Sequence, residues 1–293
     1  AALGSMATAV DYSRRNRVVV AELDFPTQIY QWLARPGIEV VRVPSDDGVG
    51  IPAERYEEYI DERTALVVTS HVFFSTGYIQ EIERIADLAH AGGARMIVDG
   101  YHAPGQFPVD PRALGVDAYA GGPLKWLLGG PGIAFLWIRR ELIQELEPTM
   151  VSWFGAENQF EFDPAEFRYR DDARRFELGT PALPTAYTAL GGLELIHQAD
   201  PRRIRERNAA LTDHLVERLD DAGFELRNAR DRERRSAIVM VRSQDSAAAV
   251  DALARQGIIV DRRGEYVRVS PHFFNTPAEN EIFVDALRVH RDG

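Results

Sequence analysis

From residue 17 to about residue 140, short apolar runs alternate with amphipathic stretches. The runs at 18–22, 39–43, 65–70, 96–98, 118–120 and 133–138 are rich in Val, Ile and other apolar residues and short enough to be strands. Between them, 27–34, 52–60, 79–91 and 111–114 are expected to be helical. In the third of these, Ile79, Ile82, Ile85, Ala86 and Ala89 keep helical spacing, with Glu81, Glu83 and Arg84 on the opposite face. Strand–helix alternation of this kind predicts an α/β fold with a mostly parallel central sheet, and such sheets carry their sites at the carboxyl ends of the strands. Further on the pattern changes. Two helices are expected at 184–198 and 201–222, then strands at 224–227, 237–241, 258–261 and 266–269, with helices at 246–256 and 277–289. The expected division is a large α/β domain over 1–180 and a smaller α+β domain over 181–293. There are no internal repeats or low-complexity stretches.

Composition narrows the field. A chain of 293 residues with 45% apolar and 27% charged residues has ample material for a core. A net charge of -11 argues against a nucleic-acid partner, which needs a basic face. The absence of cysteine removes disulfides, thiolate metal sites and cysteine nucleophiles together. No apolar run approaches the roughly 18 residues of a membrane span, and no basic-then-apolar leader opens the chain, so a cytoplasmic location without membrane contact is expected. The start at Ala1-Ala2-Leu3-Gly4-Ser5-Met6 lacks a polar tail, which suggests that a further N-terminal segment precedes it.

The chemistry is concentrated in one residue. Of 34 basic residues only Lys125 is a lysine, and it lies in the apolar, glycine-rich stretch Gly121-Gly122-Pro123-Leu124-Lys125-Trp126-Leu127-Leu128-Gly129-Gly130-Pro131-Gly132. Arginine neither forms a Schiff base nor loses its proton near neutral pH, whereas a desolvated lysine does both. Met96-Ile97-Val98-Asp99-Gly100-Tyr101-His102 places a carboxylate at the end of a buried strand, where it needs a cationic partner. Asp99 and Lys125 thus fall at the ends of consecutive strands, with His102 close by.

With these motifs the chain resembles a fold-type-I pyridoxal-phosphate enzyme of the class V aminotransferase superfamily, and within it the kynureninase-like branch. The resemblance runs from about Gly4 to Leu287. It rests on Asp24-Phe25-Pro26-Thr27, Ser70-His71-Val72-Phe73-Phe74-Ser75-Thr76-Gly77, Asp99-Gly100-Tyr101-His102, Lys125 before Gly129-Gly130-Pro131-Gly132, and Val269-Ser270-Pro271-His272-Phe273-Phe274-Asn275-Thr276. It implies pyridoxal 5'-phosphate as cofactor, bound as a Schiff base on Lys125, with Asp99 on the pyridine nitrogen and His102 within reach. Phe25 and Thr27 then stand at the cofactor. Met6 and Ala7, in Gly4-Ser5-Met6-Ala7-Thr8, resemble a phosphate-binding loop at a helix N-terminus. Trp153 resembles an indole that donates to the phosphate, and Thr180 a residue that reaches the neighbouring subunit's phosphate, which implies a homodimer with sites at the interface. Arg268 resembles the fork for a substrate α-carboxylate.

Three positions depart from the pattern: Leu124 stands where a tyrosine precedes the lysine, Gln28 where an aspartate follows Phe-Pro-Thr, and Phe73 where an asparagine follows Ser-His-Val. Each removes a polar group expected near cofactor or substrate, which argues against kynurenine as substrate. The expected function is action on a small amino acid by a kynureninase-like hydrolase or C–C/C–S lyase. A class V aminotransferase or amino-acid epimerase uses the same lysine, and a non-catalytic pyridoxal-phosphate-binding relative is a third reading. No metal is expected.

Overall fold

The β-branched runs form the centre of the molecule. The computed structural model describes residues 1–292, and in it Val18, Val19 and Val20 of β1 (Arg17–Ala21) are fully buried. Side chains alternate across a strand, so Val18 and Val20 join one core while Val19 joins another on the opposite face. α1 (Ala2–Ala9) and α2 (Pro26–Leu33) cover the first face through Met6, Ala7 and Trp32. α3 (Ala53–Glu57) and α4 (Ile82–Ala91) cover the second through Tyr56, Ile82 and Ile85. Strands covered on both faces read as continuous apolar runs.

The sheet is completed by β2 (Glu39–Val43), β3 (Thr64–Ser70), β4 (Arg95–Asp99), β5 (Ala118–Gly121) and β6 (Phe135–Ile138), in the order β2-β1-β3-β4-β5-β6. All neighbours are parallel except β5 and β6, which pair antiparallel with Gly121 opposite Phe135. The order reverses between β1 and β3, opening a crevice at the carboxyl ends of the strands. This is the mostly parallel, fold-type-I arrangement expected from the sequence.

After α5 (Leu183–Ala199) and α6 (Pro201–Asp221) comes an antiparallel sheet of β7 (Val239–Arg242), β8 (Asp261–Arg263) and β9 (Tyr266–Val269), in the order β7-β9-β8. Val239, Val241, Val267 and Val269 pack under α6, α7 (Ser246–Arg255) and α8 (Pro277–Asp292). The alternate residues face the other way: Met240 packs with Val72, Ala103 and Trp126 of the large sheet's loops. Arg268 and, across the register, Asp261 share that face.

Several expected elements differ. Residues 111–114 form a turn closed by Gly115 at φ 68°, not a helix. Residues 224–227 make only an isolated bridge, Leu226 to Val241. The helix expected from 79 begins at Ile82, because Ile79 pairs with Val72 and donates to the Arg234 carbonyl. Among the described residues no helix is long and apolar enough to cross a membrane.

Candidate active site

Two strand ends are tied together first. Asp24, just beyond β1, is buried; its Oδ2 accepts from the Ala21 amide (2.9 Å), and its Oδ1 from the Ser70 amide (2.7 Å) and the Thr69 hydroxyl (3.1 Å). This clamp locks β1 to β3 and aims the following turn. Pro26 occupies the first turn of α2, where its missing N–H costs nothing, and Phe25 precedes it, half exposed and edge-on to Phe74 at 5.1 Å. Gln28 folds back to the Ser70 hydroxyl (3.3 Å), leaving its buried Nε2 without a partner.

The next two strand ends carry the reactive groups. Asp99 ends β4, and its Oδ1 accepts from the Tyr101 amide at 2.9 Å. No other hydrogen bond reaches this carboxylate among the described residues. Burial raises its pKa, partly offset by that amide and by the charge of Lys125. Lys125 follows β5 in a tight loop closed by Leu128 N–H to the Lys125 carbonyl (3.1 Å) and Gly129 N–H to the Pro123 carbonyl (2.7 Å). Leu128 takes φ 58° there, a strained conformation for a branched residue, of the kind held at sites where geometry matters. Lys125 Nζ lies 2.6 Å from His102 Nε2 and 4.8 Å from the centre of the Tyr101 ring. That ring needs Gly122, where a Cβ would come within 2.6 Å of it.

Asp99, Tyr101, His102 and Lys125 line one cavity of ≈ 390 Å³ together with Phe25, Thr27 and Gln28, a volume suited to a cofactor or small ligand. Burial and then the charge of Arg268 bring the Lys125 pKa down to about 8. His102 is held well below its usual value by burial, Lys125, Arg268 and Arg263, so the imidazole is neutral. Arg268 is largely buried, its Nε has no partner, and its charge acts on both Lys125 and His102.

Other expected site residues are not brought to this cavity. Met6 and Ala7 are buried within α1; the alanine-rich segment forms a helix from Ala2, so the expected loop at 4–8 is helix interior, and Ala1, Leu3 and Gly4 face the cavity instead. Trp153 sits in an aromatic cluster with Phe154, Phe160 and Phe162, and Thr180 is exposed; neither lines the cavity of its own chain. Phe73 is fully buried, stacked on Tyr78 in the core, because Asp24 and the Val72–Ile79 bridge turn the chain inward; Phe74 lines the cavity in its place. Leu124 is exposed beside the lysine and does not line the cavity either. Tyr101, Trp126 and Arg263 were not assigned roles from sequence. The first two adjoin His102 and Lys125, and that adjacency was the available signal.

With this geometry in hand, comparison with known proteins gives the class. The profile of the family described as Aminotransferase class-V matches residues 2–279. The chain belongs to that family. It is 33% identical over 286 residues to the uncharacterized aminotransferase YcbU of Bacillus subtilis (strain 168), covering 98% of this chain and 75% of that protein. It is 31% identical over 257 residues to the kynureninase of Pseudomonas fluorescens, covering 86% of this chain and 61% of the kynureninase. Its fold matches the apo cysteine desulfurase of Thermococcus onnurineus NA1, with a TM-score of 0.90 at 21% identity over 100% of this chain and 77% of that one. It also matches the cystine C–S lyase C-DES, with a TM-score of 0.89 at 21% identity over 98% of this chain and 78% of that one.

The cofactor of this family is pyridoxal 5'-phosphate, and the cavity fits it. The sole lysine would hold it, the Asp99 carboxylate with one hydrogen bond suits a protonated ring nitrogen, and Phe25 and His102 line the same space.

Proposed function

We propose that this chain is a pyridoxal-phosphate-dependent enzyme acting on a small α-amino acid, as a kynureninase-like hydrolase or C–C/C–S lyase. One observation carries the reading: the only lysine, the Asp99 carboxyl and His102 line a single cavity, and Arg268, outside that lining, is close enough for its charge to act on Lys125. When bound, the cofactor supplies an electron sink for negative charge developing at the substrate Cα. Lys125 holds the cofactor and moves a proton at Cα. With its pKa near 8, about a tenth of the amine is neutral at pH 7, a useful fraction for a base. Asp99 stabilises positive charge at the ring nitrogen. Arg268 binds the α-carboxylate through its planar fork, and the apolar wall of Val72 and Phe74 favours a small or apolar side chain.

The active form is a homodimer in this reading. Leu183, Tyr187 and Leu190 form an exposed apolar stripe on α5 at helical spacing. Thr180, just before it, then serves the partner's site, as does the Trp153 cluster. In this reading a large domain over 1–180 holds the cavity, and a small one over 181–293, which carries Arg268, packs beside it through Met240 against Val72, Ala103 and Trp126.

A second reading, transamination, is favoured by the 33% identity to an aminotransferase. The test is a panel of amino acids with product mass analysis, with and without a keto-acid acceptor. Continuous turnover without acceptor, releasing a Cβ-derived fragment, supports the lyase or hydrolase. One equivalent of keto acid that becomes catalytic only with acceptor supports transamination. Cofactor binding with no product from any amino acid would leave a non-catalytic relative.

A further inference from the structure

We propose that Trp126 is a positioning residue: its indole N–H fixes the tautomer of His102, whose Nε2–H then donates to Lys125 and holds the amine in its neutral, nucleophilic form. The inference rests on Lys125 being the reactive amine. Three contacts in series carry it. Trp126 Nε1 lies 3.2 Å from His102 Nδ1, His102 Nε2 lies 2.6 Å from Lys125 Nζ, and the indole is buried.

An indole nitrogen only donates. Nδ1 of His102 must therefore be the bare, accepting nitrogen, and a neutral imidazole then carries its proton on Nε2. That proton points along the short contact to Lys125. An ammonium has three donors and no acceptor, so an ammonium at Lys125 would set two donors against each other at 2.6 Å. A neutral amine offers its lone pair and completes the chain. The reverse arrangement, with the proton on Nδ1, relieves that contact only by opposing Nδ1–H to the indole N–H at 3.2 Å. An imidazolium opposes both neighbours at once.

The indole is itself held. The Trp126 carbonyl accepts from His272 Nε2 at 3.0 Å, while His272 Nδ1 accepts from the Phe273 amide at 2.8 Å, so the second histidine is fixed in the same tautomer. Gly105, at φ 94°, passes directly beneath that carbonyl, and any Cβ there would run into it. Val72, Ala103 and Met240 pack around the indole.

The other charged groups facing the pair do not supply this selection. Arg263 and Arg268, from β8 and β9, disfavour a charged Lys125 and a charged His102 alike, without regard to tautomer. Asp99, from the end of β4, favours the ammonium. So does the face of Tyr101. None of these four groups distinguishes one imidazole nitrogen from the other, whereas the Trp126 contact, made to Nδ1 by a group that can only donate, does.

The sole lysine makes the test direct. In the intact chain freed of cofactor and labelled with ¹³C at the lysine Cε, one resonance titrates; in ¹⁵N-histidine protein, the His102 ring signals are assigned by their loss in His102→Asn. The expected result is His102 protonated at Nε2 and bare at Nδ1. The lysine midpoint lies near 8, and in Trp126→Phe it rises by about one unit, the effect of losing one ordinary hydrogen bond to the neutral form. In the same variant His102 populates its other tautomer. A proton on Nδ1 in the unaltered protein overturns the proposal, as does an unchanged lysine midpoint in folded Trp126→Phe. If that variant does not fold, the tautomer of the unaltered protein decides. None of these readings depends on cofactor loading, so failure of Lys125 to bind pyridoxal phosphate would count against the proposed function and leave this result standing.

Discussion

Asp24 and Asp99 sit at equivalent places, each at or just past the carboxyl end of a central parallel strand, and burial raises the pKa of both. Their surroundings differ in one respect. Asp24 accepts from two backbone amides and a hydroxyl, and joins a buried network in which Tyr56 donates to Gln80 (2.6 Å) and Gln80 to Thr69 (2.7 Å). Asp99 accepts from one amide and faces the cavity. A strand-end carboxylate whose acceptors are filled by the fold is a fastener. One left with free lone pairs beside a lysine is available to a ligand. The number of donors supplied by the fold, more than burial or position, separates the structural acid from the functional one.

The sharpest way to break this comparison is to neutralise each acid. Asp99→Asn keeps the shape and removes the charge, so turnover should fall by about a thousandfold or more, while the thermal midpoint stays within a few degrees. Near-normal turnover would make Asp99 a fastener too. Next in size is Arg268, whose guanidinium is, like Asp99, left without a full set of partners. Arg268→Lys should raise KM by about 30-fold to several thousandfold, since losing a buried charged partner costs roughly 2–5 kcal/mol. The covalent attachment of cofactor should be unaffected. An unchanged KM would remove the carboxylate fork from the account.

The smallest effect belongs to Asp24→Asn, read by stability alone. An amide nitrogen set against the Ala21 N–H leaves a buried donor unpaired, a loss of about 1–3 kcal/mol. The pH dependence is specific. Folded, Asp24 titrates at about 7, against 3.8 ordinarily. Between those values the folded state therefore binds the extra proton, and the contribution is complete below about pH 4 and lost as pH rises through 7. The variant's deficit relative to the parent should shrink between pH 4 and pH 8, measured by urea unfolding. A deficit that grows over that range would contradict the assignment.

Much of this was legible in the sequence, for identifiable reasons. The apolar runs at 18–22 and 65–70 announced strands, and Asp99 with the lone Lys125 at the ends of consecutive strands announced the chemistry. What was not legible depended on which way side chains turn. Phe73 and Phe74 are neighbours in sequence, yet Phe73 enters the core and Phe74 the cavity, decided by the bridge from Val72 to Ile79. The hydrogen bond from Trp126 to His102 joins residues 24 apart and leaves no periodicity to read. The resemblance placed a loop at 4–8 ahead of a helix, but the helix already runs over Ala2–Ala9, because its alanines favour helix through that stretch. The strand expected at 224–227 failed for want of partners: Leu226 bridges to Val241, and the ladder goes no further.

The measurement that bears most directly on the central claim is borohydride reduction of the protein with pyridoxal phosphate, followed by peptide mapping. Only one lysine exists to be labelled, leaving the N-terminal amine as the sole competing primary amine. The account predicts a coloured protein in which reduction fixes the cofactor to Lys125 and to nothing else, and no fixed cofactor inside the chain in Lys125→Ala. A protein that stays colourless with added cofactor, or label confined to the N-terminal amine, would contradict it.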